Sequence, residues 1–555
     1  MERSAYLAIT LWVVLAVLAG ACAPAAPTVA PTKPPAPAAP TAAPAIPTVA
    51  PKPAAPTPTP AAKIKRGGTL RAQQQNAWRT ADPHTSEQAG VSAELIYDAL
   101  LSYSMEGGKF TSQPWLAESW DLPDAKTMMV KLVKGVKFHD GSEFNAEVAR
   151  WNLLRMRDHP RTRQRSQTAA LADVTVVDPN TIKISFKAPH PSFLSYLSPY
   201  GVGGYGSGII SRMAGEKYGD SFGTSPESTV GSGPMKLVSW LTDSKQELER
   251  FDGYWKNGVD SKPLPYFDKA SFRFIADTSV ALLELKSGNL DAVERIDGRD
   301  VAPVKANPAY TFHEVLWDGT IYSLGITPGL EPHGTNVKLR QALHYAIDRP
   351  AVAKVVGEGI GYPAYYWWDE TSVGYNAALP KYDYQPEKAK QLLREAGYAN
   401  GLDLNITAVA RPQDERMSQM LKQMWDTVGF RTTIESMERL AWQERALAQR
   451  LQTTTFRYHY APDADLLSSS VTTGGSGNFV NWSSPDMDKC MEEGRSALDV
   501  KTRQAVYERC QGILFETAIY APIWKWTRND VVASYVKGWE PNYEGPRYKW
   551  LWLDR

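Results

Sequence analysis

Along this chain the spacing of hydrophobic positions switches between two residues and about 3.6, and each switch marks an element. In "LDLNITAV", Leu402, Leu404, Ile406 and Ala408 alternate with other residues, the period of a strand. Met417, Met420, Leu421, Met424, Trp425 and Val428 then recur at helical spacing until Gly429, a residue suited to ending a helix, and "RTTIES" follows as a second strand. Strand, helix and strand in that order predict a right-handed crossover between parallel strands. In "VKLRQALHYAID", Leu339, Ala342, Leu343, Ala346 and Ile347 share one helix face, and a second helix runs from Pro350 to Gly357. The first half reads differently. "TMMVKLVKGVKFHDG" is a strand closed by a turn at Asp140-Gly141, Asn145 caps the helix that begins "AEVARWNLL", and "VTVVDPNTIKISF" is a hairpin bent at Asp178-Pro179-Asn180. Together these predict an α/β body of more than one lobe.

The first 62 residues follow another pattern. After Arg3, Ala5 to Leu18 is apolar but too short to span a bilayer, which suits the core of a signal peptide covering residues 1 to 21. Ala19, Gly20 and Ala21 precede Cys22 and admit two readings: a lipobox that makes Cys22 the lipidated first residue, or an ordinary A-x-A cleavage site with Cys22 incidental. Both export the protein; a lone cysteine at the end of a signal-type segment favours lipidation. From Ala23 to Ala62 the chain is almost wholly Pro, Ala, Thr and Val, too poor in apolar bulk to offset the entropy of ordering. Residues 22 to 62 therefore read as a tether, about 40 residues at about 3.1 Å each, on the order of 120 Å when extended.

The body, from Lys63 to Arg555, is long enough for several domains. With 61 basic against 60 acidic residues overall, no global field invites nucleic acid. Cys490 and Cys510 lie on two predicted helices joined by a short break; in an exported chain they suit a disulfide, with two buried thiols as the alternative. Several formal motifs carry no chemistry. Gly219 to Gly223 matches G-x-S-x-G, yet a helical segment precedes it where a nucleophile elbow needs a strand. Gly201 to Gly206 matches G-x-G-x-x-G without a strand before it. His333, His344 and His459 share no metal-ligand spacing, so neither a metal nor a cofactor is expected. The basic run "RMRDHPRTRQR", 155 to 165, reads as a solvated helix end or a contact to anionic surfaces.

The segments "RGGTL" (66 to 70), "ADPH" (81 to 84), "YDALL" (97 to 101), "QPWLAESW" (113 to 120), "GVKFHDGSEFNAE" (135 to 147), "GSGPMKL" (231 to 237), "RFDGYW" (250 to 255), "LRQALHYAIDRPAVAKVVGEGIGYPA" (339 to 364) and "YQPEKAKQLLREAGY" (384 to 398) occur in an order that resembles one family. It is the bacterial family 5 of extracellular solute-binding proteins, the oligopeptide-, dipeptide- and nickel-binding components of ABC importers. The resemblance implies a two-lobed, class II periplasmic-binding-protein-like α/β fold that closes over its ligand. Lobe one would comprise residues 63 to about 315, with an inserted subdomain from about 109 to 230 and a C-terminal return over 529 to 555; lobe two would span 316 to 528. It also implies ABC permease subunits as partners, a peptide or similar small polar solute as ligand, and a lipid-anchored position outside the cytoplasmic membrane or in the periplasm.

Peptide-binding relatives hold the ligand's α-ammonium with an Asp a few residues before a D-P-D-like turn in lobe two. The corresponding stretch here is "FRYHYAPDADLL", which brings Tyr460 to that place with His459 beside it and Asp463 in the turn. A hydroxyl and a ring suit a neutral ligand better than a buried ammonium. The 18 tryptophans add a second clue. Tyr366, Trp367 and Trp368 in "GYPAYYWWDE", Trp78, Trp317, and Asn478 with Trp482 in "NFVNW" pair flat rings with amides and carboxylates, the chemistry of sugar recognition. Interior packing is the alternative for each ring. An oligosaccharide is thus the second ligand reading. A surface-anchored glycan hydrolase is the rival from another class, with Asp463 and Asp465 as its acidic pair.

Overall fold

Strand Leu402–Val409, helix Pro412–Val428 and strand Phe430–Met437 form the predicted crossover, the strands pairing in parallel from Leu402↔Phe430 to Val409↔Met437. Gly429 ends the helix at φ 112°, a left-handed conformation that costs glycine nothing. Trp425 is completely buried under this unit and donates its indole N–H to the Leu343 carbonyl at 3.1 Å. The computed structural model describes residues 64–75, 77–86, 92–106, 109–198, 205–459, 461, 463–539 and 548–555. The expected signal peptide, Cys22, the tether and the glycines 201, 203 and 204 lie outside them.

Eleven strands form one sheet, ordered Phe430–Met437, Leu402–Val409, Thr453–His459, Tyr310–Ile326, Tyr520–Ala533, Ala292–Val293, Thr69–Gln74, Lys269–Phe274, Lys245–Arg250 and Met235–Leu241, with Gly361–Pro363 also on Tyr520–Ala533. Two long antiparallel strands, Tyr310–Ile326 and Tyr520–Ala533, join its halves. Their pairing is interrupted: Val315 faces Arg528 and Thr320 faces Trp526, so an advance of five positions on one strand matches an advance of two on the other. On one side of the interruption a core runs through Leu70, Phe138, Phe272, Val531 and Leu551. On the other side lie two cores, one around Trp367, Trp368, Phe456 and Tyr507, the other around Leu339, Ile406, Trp425 and Trp524.

A separate four-stranded antiparallel sheet orders Ala117–Asp124, Thr127–Leu132, Thr181–Phe186 and Leu171–Asp178, and shares the first core. Asn145 caps its helix Ala146–Asp158 by accepting from the Val148 N–H at 3.1 Å, as read. Asp348 caps helix Arg349–Val356, which Gly357 closes. Cys490 and Cys510 form a disulfide, Cα to Cα 5.7 Å, between helices Pro485–Ser496 and Val500–Thr517, so the two-thiol alternative is set aside.

In the basic run Arg161, Arg163 and Arg165 are exposed, as the solvated reading expects, and Arg155 departs from it. Arg155 turns inward and donates from both terminal nitrogens to Asp82, at 2.6 and 3.0 Å, and to Nδ1 of His84 at 2.7 Å. Aimed at a buried carboxylate, a guanidinium gains more from two charge-assisted bonds than from hydration. This also explains "ADPH": its Asp and His form one side of an interior clamp.

Candidate functional site

In an α/β sheet the ligand crevice lies outside the carboxyl ends of parallel strands. Here two such sets of ends meet at the interrupted pairing. Thr69–Gln74 runs parallel to Lys269–Phe274 and Ala292–Val293, and beyond it the Gln75 N–H donates to Glu294 Oε1 at 3.2 Å. The next residue, Arg295, has φ 58°, a strained conformation for a non-glycine, and its guanidinium lies over the Trp526 ring, 5.7 Å from the centroid. Trp526 faces Thr320, and Thr320 faces His459, the final residue of a strand parallel to Leu402–Val409. Glu294, Arg295, Trp526, Thr320 and His459 therefore make a continuous line from one set of strand ends to the other.

The charges on this line are balanced. Arg528 bridges Glu294 Oε2 at 3.2 Å and Asp530 Oδ1 at 2.8 Å. Burial raises the pKa of the Glu294 carboxyl, and the charges of Arg528 and Arg295 oppose that rise. Beyond His459 the surroundings are cationic. Arg411 lies 3.6 Å from the buried Asp414, and Arg457 faces Tyr322 across the strands. Burial lowers the pKa of Arg411 and the nearby charge of Arg457 lowers it further, against Asp414.

Of the side chains singled out from sequence, His459 is exposed at the crevice. Trp317 belongs to strand Tyr310–Ile326 beside the interruption; its side chain and Tyr460 lie outside the described residues. Of the others, Tyr366 is half-buried and the rest are engaged in the interior. Trp367 stacks on Tyr458 at 4.2 Å, and Trp368 has no exposure and packs near Tyr507. Trp482 is buried, and Trp78 meets Trp240 edge-on at 6.3 Å. The Tyr366 hydroxyl donates to the Leu379 carbonyl at 2.7 Å. Asn478 donates to the carbonyls of Thr472 and Trp482 and accepts from the Trp482 N–H and the Tyr520 hydroxyl, so its amide is fully used. Asp463 is matched by Arg503 through bonds of 2.7 and 3.2 Å. The alternation that looked like ring-lined sugar chemistry is, at these positions, core packing: large apolar area removed from water outweighs display at a surface.

Asp465 makes the other notable contact. It accepts from the Ser192 hydroxyl, pairs with Arg495 at 3.0 Å and lies 3.9 Å from the His190 ring. Residues 190 to 196 belong to the chain beside the four-stranded sheet, and Tyr196 packs against the first and second cores alike. Glu294, Arg295, Arg411 and Arg457 were not found from sequence. Their signal is positional: each stands at or near the end of a strand pattern. Among the described residues no group of three or more His, Cys, Asp or Glu could hold a metal ion.

Residues 111–479 match the model described as bacterial extracellular solute-binding proteins, family 5 Middle. Heme-binding protein A of Haemophilus influenzae is 28% identical over 469 residues, spanning 78% of this chain and 82% of its own length. The dipeptide-binding protein of Escherichia coli K12 is 27% identical over 486 residues, spanning 81% and 87%. Among solved structures, the periplasmic binding protein DppA from Helicobacter pylori, in complex with peptide STSA, aligns with a TM-score of 0.70 at 22% identity, covering 88% of this chain and 99% of that one. The fold is thus the mixed α/β fold of periplasmic binding proteins.

Proposed function

Since the chain belongs to family 5 of the bacterial extracellular solute-binding proteins, we propose that it captures a peptide or similar small polar solute by lobe closure and delivers it to a membrane permease. As a substrate-binding protein of an ABC transporter it is a binder, not an enzyme. One observation carries the capture reading: carboxyl ends of parallel strands from both halves of the sheet meet at the interruption of the long strands. A solute held there touches both halves only when they approach, so its binding energy favours the closed form.

The proposed lobes are residues 63 to 315 with 529 to 555, carrying the insertion 109 to 230, and residues 316 to 528. The division is supported by the cores, since the first draws on Leu70 to Val304 and Val531 to Leu553, with Ile360 its one buried member from the second lobe, and the other two on Ile321 to Trp524. His459 is retained as a ligand contact, joined by Arg295 and Trp526; Tyr460 and Trp317 are proposed from their chain positions next to the crevice. The peptide reading is supported by the relatives named for dipeptides and solved with peptide STSA. The oligosaccharide reading has lost its main support, because Trp367, Trp368, Asn478 and Trp482 are interior. The hydrolase reading is corrected: the family is non-catalytic, and Asp463 and Asp465 are held by Arg503 and Arg495.

Small-angle scattering tests capture. A saturating peptide is expected to reduce the radius of gyration, and an unchanged profile counts against closure. Thermal shift identifies the solute, since a hundredfold excess over Kd adds about 2.7 kcal/mol. Lipidation of Cys22 is part of the proposal and is tested by Cys22→Ser, which should move the protein from membranes to the soluble fraction.

A further inference from the structure

Helices Ala146–Asp158 and Arg212–Tyr218 pack together beside the four-stranded sheet and leave a trough of about 390 Å³ between them. That volume lies in the range of small-molecule sites, roughly 300 to 1,000 Å³. None of the crevice-line residues Glu294, Arg295, Thr320, His459 and Trp526 borders it. On the first helix, residues 150, 151, 154, 155 and 158 recur at helical spacing and so share the face that lines the trough.

Trp151 and Leu154, both half-buried, supply its apolar surface. The indole is held from two sides. A Cβ on Gly215 of the second helix would stand 2.3 Å from Cη2 of Trp151, so a residue without a side chain is what admits the ring. Arg155 lies 5.8 Å from the centroid of the same ring and is fixed in turn by its two bonds to Asp82. A ring already locked in place loses little freedom when a planar ligand stacks on it.

The charges along the trough leave spare donors of one sign. Its two acids are taken: Asp158 by Arg157 at 2.6 Å, and Asp220 by Arg161 at 3.1 Å, with His159 Nε2 at 3.5 Å. Arg150 and Arg212, one on each helix, are both anchored through Nε. Arg150 donates it to the Val174 carbonyl at 2.8 Å, and Arg212 to Glu216 Oε1 at 2.7 Å. Their terminal amino groups have no partner among the described residues, and Arg150 has no carboxylate partner at all among them. A guanidinium steadied at Nε presents its fork outward, the geometry that receives a carboxylate. By contrast, a 540 Å³ groove lined by Asp403, Lys422 and Gln452 has its charges paired, Lys422 with Asp426 and Arg431 with Asp403.

We propose that this trough is a second binding site, separate from the crevice, for a small aromatic carboxylate. The ring of the ligand lies on Trp151 and Leu154, and its carboxylate is received by Arg150 and Arg212.

The test titrates the full-length protein, wild type and Arg150→Gln/Arg212→Gln, by calorimetry with indole-3-acetate, its neutral amide indole-3-acetamide, and acetate. The wild type is expected to bind indole-3-acetate at least about tenfold more tightly than either of the others, and the double variant to lose that advantage. Ligand-free melting points control for folding; if the double variant melts low, single Arg212→Gln serves, since that side chain is 42% exposed. If the variants bind indole-3-acetate as the wild type does, the acid sits elsewhere, the crevice included, and the site is overturned. It is also overturned if the amide or acetate binds as tightly as the acid, or if none of the three probes binds. Peptide titrations of the same variants are expected to match the wild type, which keeps the capture reading apart from this one.

Discussion

Lys549 Nζ lies 3.1 Å from Asp98 Oδ1, with side-chain exposures of 1% and 0%. The same carboxylate accepts from the indole N–H groups of Trp115 at 2.7 Å and Trp255 at 3.0 Å and from the Tyr254 hydroxyl at 3.1 Å. Asp98 is thereby matched on every side, and the segment carrying Lys549 is fastened to the first core. Lys549→Met leaves a buried carboxylate without its cation, which costs on the order of 3 kcal/mol or more. Urea unfolding measures this, and the double variant Asp98→Asn/Lys549→Met is expected to recover part of the loss.

His84 supplies a pH dependence. It has no exposure, its Nε2–H donates to the Gly208 carbonyl at 3.0 Å, and its Nδ1 accepts from Arg155. Burial, with the Arg155 charge adding to it, pushes its pKa down to about 3. A base depressed on folding takes its proton only when the chain unfolds. Its contribution is therefore intact above the ordinary value near 6.5 and is lost as pH falls from there toward 3. The loss is roughly 2 kcal/mol by pH 5. Melting curves at pH 7.5 and pH 5 should differ by less in His84→Gln, whose amide can keep both hydrogen bonds without titrating.

Ser192→Ala removes one donor to Asp465 while leaving Arg495 in place. If this contact belongs to the closed form, its loss costs about 1 kcal/mol of closure, roughly a fivefold weakening of solute binding with little change in melting point. Equal affinities for Ser192→Ala and wild type would show that the contact holds structure and not closure.

The Cys490 to Cys510 bridge closes a loop with a sequence separation of 20. A loop of this size restricts the unfolded chain by about 3 kcal/mol. Reduction, or the double Cys→Ser variant, should lower the melting point accordingly while leaving solute affinity nearly unchanged, because none of Glu294, Arg295, Thr320, His459 and Trp526 stands on either bridged helix.

Elements were legible in the sequence wherever local periodicity and turn chemistry agreed. The crossover from Leu402 to Met437, the Asn145 cap and the Asp178 hairpin need only neighbours a few residues away. Site chemistry was harder to read because it depends on register. The rings at 367 and 368 face inward and residue 459 outward, and nothing local in "YYWWDE" or "FRYHY" distinguishes the cases; pairing with distant strands does. Arg155 shows the same limit, since its carboxylate lies 73 positions earlier in the chain.

The union of Asp98 with Lys549 also has a temporal side, since the two are 451 positions apart. A domain begun near residue 70 lacks its buried counter-cation until the ribosome has delivered almost everything that follows. This buried pair therefore cannot close until synthesis is nearly complete, and its formation is a late, long-range step of folding.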